Sequence, residues 1–411
     1  VKGESFAVNT TPKSERPHIT FFGRRNSGKS SLLNAVTGQK IATVSEQAGT
    51  TTDPVFKMME LHPIGPVAFV DTAGMDDSGA LGVLRVEKTR EVMGKTDLAV
   101  LVIDGEVGFG LWEAEIKEQL DALAIKVVTV INKNDLALNF PESDLRQFKN
   151  DYNIPEVLEV SAVTGVGIEE LKIKIAMVLQ DAKAENWLIK DLLQRGDQVV
   201  LVVPIDVAAP KGRLILPQVQ VLREVLDAGA VGVVCQDGQL KVTLDNIKKQ
   251  PQLVVTDSQV FHEVATILAP QVSLTSFSIL MARYKGELTD FIAGAQAVEQ
   301  LKPGDKVLIA EACTHQKQHQ DIGTVKIPGL LQQRIGGKLD LRWVSGGDFP
   351  GDLTEYDLII HCGGCMLTRR DVLSRLEQAR SAGISVINYG ILLAQLNGIL
   401  ERAIAPLQGR Y

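Results

Sequence analysis

The sequence predicts an α/β fold: a three-domain chain in which a P-loop nucleotide-binding domain is followed by two smaller parallel-sheet α/β domains. Three observations predict it. An apolar run near the start feeds a glycine-rich loop and then a helical segment, and short Val, Leu and Ile runs alternate with helical spacing along the rest. In addition, 411 residues exceed what one core usually organises, at roughly 150 residues per domain. Hydrophobic residues at 45% with aromatics at only 5% suit sheets packed with aliphatic side chains. The formal charge of -7 is spread without a long basic run, so nucleic acid is not an expected partner. Four cysteines are too few for a disulfide scaffold and fit a reducing, cytoplasmic compartment. The longest apolar run, from Val199 towards Pro210, is broken by Pro204 and Asp206 and falls short of the roughly 20 residues that cross a bilayer. No signal peptide precedes the first strand, so no membrane association is expected.

Residues 1–16 are polar and are expected to form a flexible arm; the first domain is assigned to 17–182. The strand His18 to Phe22 runs into Gly23-Arg24-Arg25-Asn26-Ser27-Gly28-Lys29-Ser30, and Ser31 to Val36 reads as a helix. In this strand–loop–helix setting the glycines let backbone N–H groups wrap phosphates, Lys29 neutralises their charge and the Ser30 hydroxyl can ligate magnesium. Asp71-Thr72-Ala73-Gly74 follows the apolar run Val67 to Val70; its carboxylate suits the magnesium shell and the Gly74 N–H the γ-phosphate. Val127 to Ile131 then delivers Asn132-Lys133-Asn134-Asp135. A carboxylate at Asp135 can accept from both the ring N–H and the amine of guanine, whereas adenine would leave it unpaired, so GTP and GDP are expected over ATP. Ser161-Ala162, after Val157 to Val160, falls where a backbone N–H could meet the guanine carbonyl.

Taken together, these motifs resemble the GTPases of the TrmE-Era-EngA-like branch, which share GRxNxGKS and a GTT segment. Gly49-Thr50-Thr51-Thr52 supplies that segment here, with Thr51 matching the magnesium-ligating threonine. Asn26 matches the asparagine that places its amide oxygen on potassium in the cation-activated members. The resemblance implies that Lys29, Thr51, Asp71 and Gly74 act on the γ-phosphate and its magnesium. Met75 follows Gly74, where Ras-like enzymes carry a water-aligning glutamine, so slow, switch-like hydrolysis is expected unless Asp76 or Asp77 substitutes.

The second domain is assigned to 183–275. Ala184 to Gln194 reads as helical, and Gln198 to Val203, Ala230 to Cys235, Leu253 to Thr256 and Val272 to Phe277 as short buried strands. Leu216 to Leu226 and Ser258 to Leu268 carry helical spacing, the latter with Ser258 as N-cap. Nothing in this stretch resembles a catalytic motif, and Cys235 and His262 read as core residues. Val219, Val221, Leu222, Val225 and Leu226 give one helix a broad apolar surface, either core or a homodimer contact.

The third domain is assigned to 276–411. Ser276 to Gln300 reads as one helical stretch, and Lys306 to Ala310, Leu341 to Val344, Asp357 to Ile360 and Ile384 to Ile387 as strands. Cys313-Thr314-His315 and His361-Cys362-Gly363-Gly364-Cys365 therefore follow strand ends, where open α/β sheets place ligands. Gly363 and Gly364 allow a tight turn between two thiolates. Residue types alone leave structural zinc and an iron-sulfur cluster equally open.

The whole chain resembles the family of GTPases that mature iron-iron (FeFe) hydrogenases, whose CxH, long spacer and HCxxC pattern is matched by Cys313, His315, His361, Cys362 and Cys365. The resemblance implies a four-iron, four-sulfur (4Fe-4S) cluster on Cys313, Cys362 and Cys365. An exchangeable ligand would complete it: His315, His361, a carboxylate such as Glu15 or Glu311, or water. It further implies a dimerisation domain and a scaffold that takes a two-iron subcluster from radical-SAM maturases and delivers it to the FeFe-hydrogenase apoprotein. A ribosome- or tRNA-directed GTPase with structural zinc is the rival reading, and a thiol redox protein a third.

Overall fold

A computed structural model describes residues 12–38, 55–72, 92–136, 141–182, 186–205, 214–312, 321–346 and 348–409. Thr50, Thr51, Gly74, Met75, Asp76, Asp77, Cys313 and His315 lie outside them. The chain divides into two compact units, 1–184 and 185–411.

The first unit is built on a six-stranded sheet. Its strands are β1 (His18–Phe22), β2 (Val55–Leu61), β3 (Gly65–Asp71), β4 (Leu98–Asp104), β5 (Lys126–Asn132) and β6 (Val157–Glu159), in the order β2-β3-β1-β4-β5-β6. All pairs are parallel except β2 with β3, an antiparallel edge that the alternating pattern did not announce. The period of two sorts side chains to the two faces. Ile19, Phe21, Val100 and Val102 join α1 (Lys29–Thr37) and α4 (Ile168–Ala182) in one core, while Phe22, Ala99 and Leu101 join α2 (Leu111–Ala122) in the other. A further helix is α3 (Glu142–Asp151). Parallel pairing brings the ends of β1, β3, β5 and β6 to one edge of the sheet, each followed by one of the nucleotide motifs.

The second unit holds two parallel four-stranded sheets over one continuous core. The first orders β10-β9-β7-β8 from β7 (Gln198–Val202), β8 (Val231–Cys235), β9 (Leu253–Thr256) and β10 (Leu274–Ser276), with α5 (Leu216–Asp227), α6 (Leu240–Asn246) and α7 (Phe261–Ile267) between them. After α8 (Phe277–Lys285) and α9 (Leu288–Val298), the second orders β12-β11-β13-β14. Its strands are β11 (Lys306–Glu311), β12 (Asp340–Ser345), β13 (Leu358–His361) and β14 (Val386–Asn388), with α10 (Ile327–Ile335), α11 (Arg369–Ser381), α12 (Tyr389–Leu396) and α13 (Leu400–Ile404). Helix α9 meets β14 backbone to backbone: a Cβ on Gly294 would stand 2.2 Å from the Val386 carbonyl oxygen.

Several expectations are corrected. Among the described residues of the stretch Ala184 to Gln194, only Lys190–Leu192 is helical, a single 3-10 turn. Ser276 to Gln300 is two helices, because Gly286 is extended and the Phe291 ring fills the space a side chain there would need, 2.5 Å from its Cβ position. The strand expected over Val272 to Phe277 is shorter, since Ser276 caps α8 by accepting from the Ile279 N–H at 3.2 Å. Asp257, not Ser258, caps its helical stretch, which opens as a 3-10 turn. The last strand begins at Val386 because Ile384 closes the end of α11, donating to the Ala379 carbonyl at 2.9 Å. Helix α7 buries Phe261 and Val264, which turns His262 outward to solvent, so it is not a core residue. Helix α5 buries Val221 and Val225 but leaves Val219 and Leu226 exposed. Cys235 is half-buried against the core, and burial pushes its thiol up.

Candidate functional site

The loop after β1 is shaped by what would not fit in it. A Cβ on Gly23 would lie 2.5 Å from the Val102 carbonyl oxygen, and one on Gly28 2.3 Å from Asn132 Nδ2. Gly28 is also left-handed, at φ 85, as the residue opening α1. The Lys29 ammonium folds back over the loop and donates to the carbonyls of Gly23 at 2.6 Å and Arg24 at 2.7 Å. Ser31 continues the first turn of α1 at an exposed position. Asn26 is exposed and left-handed, at φ 65, a conformation its short polar side chain tolerates.

The Ser30 hydroxyl donates to Asp71 Oδ2 at 2.5 Å, while Asp71 Oδ1 is buried without a partner. Burial raises the Asp71 carboxyl, opposed by Ser30, Lys29 and Lys57. A buried carboxylate oxygen with no donor, beside a hydroxyl at the phosphate-loop helix, is the donor set of a hard cation. These residues fit magnesium.

Asn132 ties the base-reading loop to the phosphate loop. Its Nδ2 donates to the Ser27 carbonyl at 2.9 Å and its Oδ1 accepts from the Ala162 N–H at 3.2 Å. Asp135 accepts from the Ser161 hydroxyl at 2.5 Å. The Ser161 N–H is committed to the Val166 carbonyl at 3.0 Å, so Ser161 acts here through its side chain. Lys133 pairs with Asp104 at 2.8 Å and Glu106 at 3.0 Å. One contact went unread in the sequence. Glu113, 1% exposed, accepts from the Arg24 guanidinium at 2.5 Å and from the Gly110 N–H at 2.9 Å, fastening the phosphate loop to α2. Burial raises the Glu113 carboxyl against the pull of Arg24.

In the second unit, β11, β13 and β14 end side by side: Ala310 is in register with His361, and His361 with Asn388. Cys362 Sγ accepts N–H groups from Ala312 at 3.0 Å and Gly364 at 3.4 Å. Burial pushes the Cys362 thiol up to about 11, so a thiolate here calls for a cation on the sulfur. Sulfur ligands with peptide N–H groups aimed at them fit an iron-sulfur cluster or zinc. Gly364 takes the left-handed turn at φ 66, whereas a Cβ on Gly363 would meet nothing closer than 3.8 Å, so only the second glycine is needed. Among the described residues no group of three or more Cys, His, Asp or Glu is arranged to hold a metal ion, and Cys313 and His315 fall outside them.

Both nitrogens of His361 are engaged. Arg375 can only donate, so Nε2 accepts from its Nη1 at 3.2 Å and Nδ1 carries the hydrogen given to the Cys362 carbonyl at 2.8 Å. Burial and the facing Arg375 push His361 down to about 4. Asn388 Nδ2 donates to the same Cys362 carbonyl at 3.4 Å, and Asn388 Oδ1 accepts from the Ser278 hydroxyl at 3.0 Å. Buried Glu311 accepts from the Tyr389 hydroxyl at 3.2 Å. Glu15 lies in the 3-10 turn Lys13–Glu15 of the first unit.

The fold and sites define a class: a P-loop GTPase domain joined in one chain to a cysteine-bearing unit of two parallel α/β sheets. Residues 18–133 match the family described as 50S ribosome-binding GTPase. Residues 188–286 match the Hydrogen maturase F dimerization domain and 289–406 the Hydrogen maturase F tetramerization domain, together more than half of the chain. The chain belongs to the hydrogen maturase F family. Over its GTPase part it is 33% identical to GTPase Der of Kosmotoga olearia across 189 residues, covering 43% of this chain and 42% of that protein. It is 40% identical to the tRNA modification GTPase MnmE of Heliobacterium modesticaldum across 152 residues, 36% of this chain and 31% of that one. The chain thus spans less than half the length of these curated relatives. Among solved structures, a single-residue variant of Aquifex aeolicus Era bound to GDP.AlF4- is 20% identical, covering 53% of this chain and 92% of that one, with a TM-score of 0.35.

Proposed function

We propose that the chain is a GTP-binding and hydrolysing scaffold that assembles and delivers the two-iron subcluster of the FeFe-hydrogenase active site. In this reading it carries a 4Fe-4S cluster on Cys313, Cys362 and Cys365. The observation that supports this most is the Ala312 N–H on Cys362 Sγ at 3.0 Å, which draws the residue beside Cys313 onto the CxxC turn in a hydrogen maturase F chain. When bound, the cluster supplies an iron position that three cysteines leave open to exchange. His361 holds the Cys362 carbonyl rather than offering a free nitrogen, which leaves His315, Glu311 or water for that position.

Lys29, Thr51, Asp71 and Gly74 act on the γ-phosphate and its magnesium, and without a glutamine after Gly74 turnover is slow. Asn26 contributes its amide oxygen to potassium. The partners are radical-SAM maturases and the FeFe-hydrogenase apoprotein, in the cytoplasm. Residues 183–275 form a dimerisation domain and 276–411 the cluster domain. In support of the homodimer, the edge strand β8 leaves Val231 49% and Val234 44% exposed, and α5 packed on it exposes Val219 and Leu226.

Anaerobic purification, metal analysis and electron paramagnetic resonance test the cluster. Iron and sulfide in cluster amounts with a reducible signal are expected. Zinc at one per chain with no iron signal would sink this reading in favour of a structural zinc site. GTP turnover is expected to rise in potassium over sodium and to lose that rise in Asn26→Ala.

A further inference from the structure

Helix α11 carries an arginine in its core-facing stripe. Val372, Arg375, Leu376 and Ala379 follow at positions i, i+3, i+4 and i+7, and all are buried. Arg375 is 6% exposed, and a guanidinium so placed is costly unless its charge is answered. Its contacts are neutral: the Gly346 carbonyl at 2.7 Å, His361 Nε2 at 3.2 Å and the Phe349 ring, whose centroid is 4.8 Å away. Among the described residues no carboxylate stands within ion-pair distance of it, and Asp371 and Asp348 act only at longer range. Asp371 is committed to the N-cap of α11, accepting from the Thr368 N–H at 2.9 Å and its hydroxyl at 2.8 Å.

The other negative charge within reach is sulfur's. Cys362 interacts electrostatically with Arg375, and His361 links the two by hydrogen bonds to the guanidinium and to the Cys362 carbonyl. As thiols the cysteines carry no charge. As ligands they do: three thiolates outweigh an oxidised 4Fe-4S core by one negative charge and a reduced core by two. A fixed buried cation beside them therefore favours the reduced centre.

We propose that Arg375 is a positioning residue for the cysteine site, whose guanidinium balances the thiolate-bound centre and raises its reduction potential, with His361 as the link to the Cys362 carbonyl. This rests on the cluster reading above and adds to it a residue and a direction.

The test is a potentiometric titration of the anaerobically reconstituted full chain, followed by electron paramagnetic resonance, for the wild type, Arg375→Lys and Arg375→Gln. Arg375→Gln is expected to keep its iron and to shift the midpoint negative by at least a tenfold change in the one-electron equilibrium, about 59 mV. Arg375→Lys, which keeps the charge, is expected to shift less, and GTP turnover to stay unchanged in both. Iron lost from the glutamine variant but kept by the lysine variant also supports a role for the charge. An unmoved midpoint in Arg375→Gln at full iron content overturns the proposal. So does an equal shift in Arg375→Lys, or equal iron loss from both variants, which would assign Arg375 to the fold alone. A wild type that holds zinc and no iron overturns the cluster reading too, and shows itself before any variant is compared.

Discussion

The nucleotide loop and the cysteine loop each set a buried cation on neutral acceptors, yet they are assembled by different means. Lys29 rests on carbonyls five and six residues away in the chain, and the loop that offers them is forced into shape by glycines with no room for a Cβ. Arg375 rests on groups 14 and 29 residues away, His361 and the Gly346 carbonyl, which meet only because β12, β11 and β13 hold their parallel register. The first site is a property of a short segment on a helix N-terminus; the second is a property of a sheet. Damage should therefore act differently in the two. Changes in the first should alter ligand choice and leave the rest of the chain alone, while changes in the second should couple to the stability of its whole unit.

The largest effect is expected at the base-reading end of the first site. Asp135→Asn replaces a double acceptor by an amide whose donors face the donors of guanine. GTP affinity should fall on the order of 10⁴-fold, in line with sites built to pair a specific hydrogen-bonding edge. Equilibrium binding of a fluorescent GTP analogue reads this. Iron content in the same variant should match the wild type, and a parallel loss of iron would break the separation of the two sites.

A pH series probes the second site. His361 is neutral in the fold down to about 4, whereas the unfolded residue titrates near its ordinary 6.5. As pH falls, the unfolded chain takes up the proton first, so the contribution is full above about 6.5 and is lost progressively between 6.5 and 4. The size is about 3 kcal/mol. Denaturant unfolding of the metal-free chain at pH 7.5 and pH 4.5 should show a steeper loss in the wild type than in His361→Asn. Equal slopes would mean that the imidazole is not buried in solution, since burial is the larger cause of its shift and the facing Arg375 the smaller.

These two sites also differ in how far they could be read from residues alone. Gly23, Gly28, Lys29, Asp71, Asn132 and Asp135 announce themselves because contiguous spacing encodes their geometry, and parallel β-α alternation places them on one edge. Cys362 and Cys365 were legible as a pair for the same reason. Arg375 and Glu113 were not, because charged residues are mostly exposed and neither lies in a motif; the signal available was an arginine in register with Val372, Leu376 and Ala379. Helix limits around Gly286 and Ser276 escaped because packing decides them: the Phe291 ring, 2.5 Å from where a side chain on Gly286 would begin, ends a run whose local spacing is helical throughout. The antiparallel β2 had no signal in an alternation that otherwise implied parallel strands.

The smallest effect is expected from the two glycine loops, and it separates conformational need from habit. Gly28 is left-handed at φ 85, and an alanine Cβ there would stand 2.3 Å from Asn132 Nδ2. The left-handed penalty is about 1–2 kcal/mol, and displacing the Asn132 bond to the Ser27 carbonyl costs about 1 kcal/mol more. Gly28→Ala should thus weaken GTP binding by about 2–3 kcal/mol, by the same count. Gly363 has no such constraint: its nearest neighbours to a new Cβ, Met281 and Ser278, lie at 3.8 Å, an ordinary contact. Gly363→Ala should hold its iron and change unfolding free energy by no more than about 0.5 kcal/mol, the range of an uncrowded substitution. If Gly363→Ala instead costs as much as Gly28→Ala, the CxxC turn must adopt a second backbone conformation when it is loaded, one that only glycine can reach.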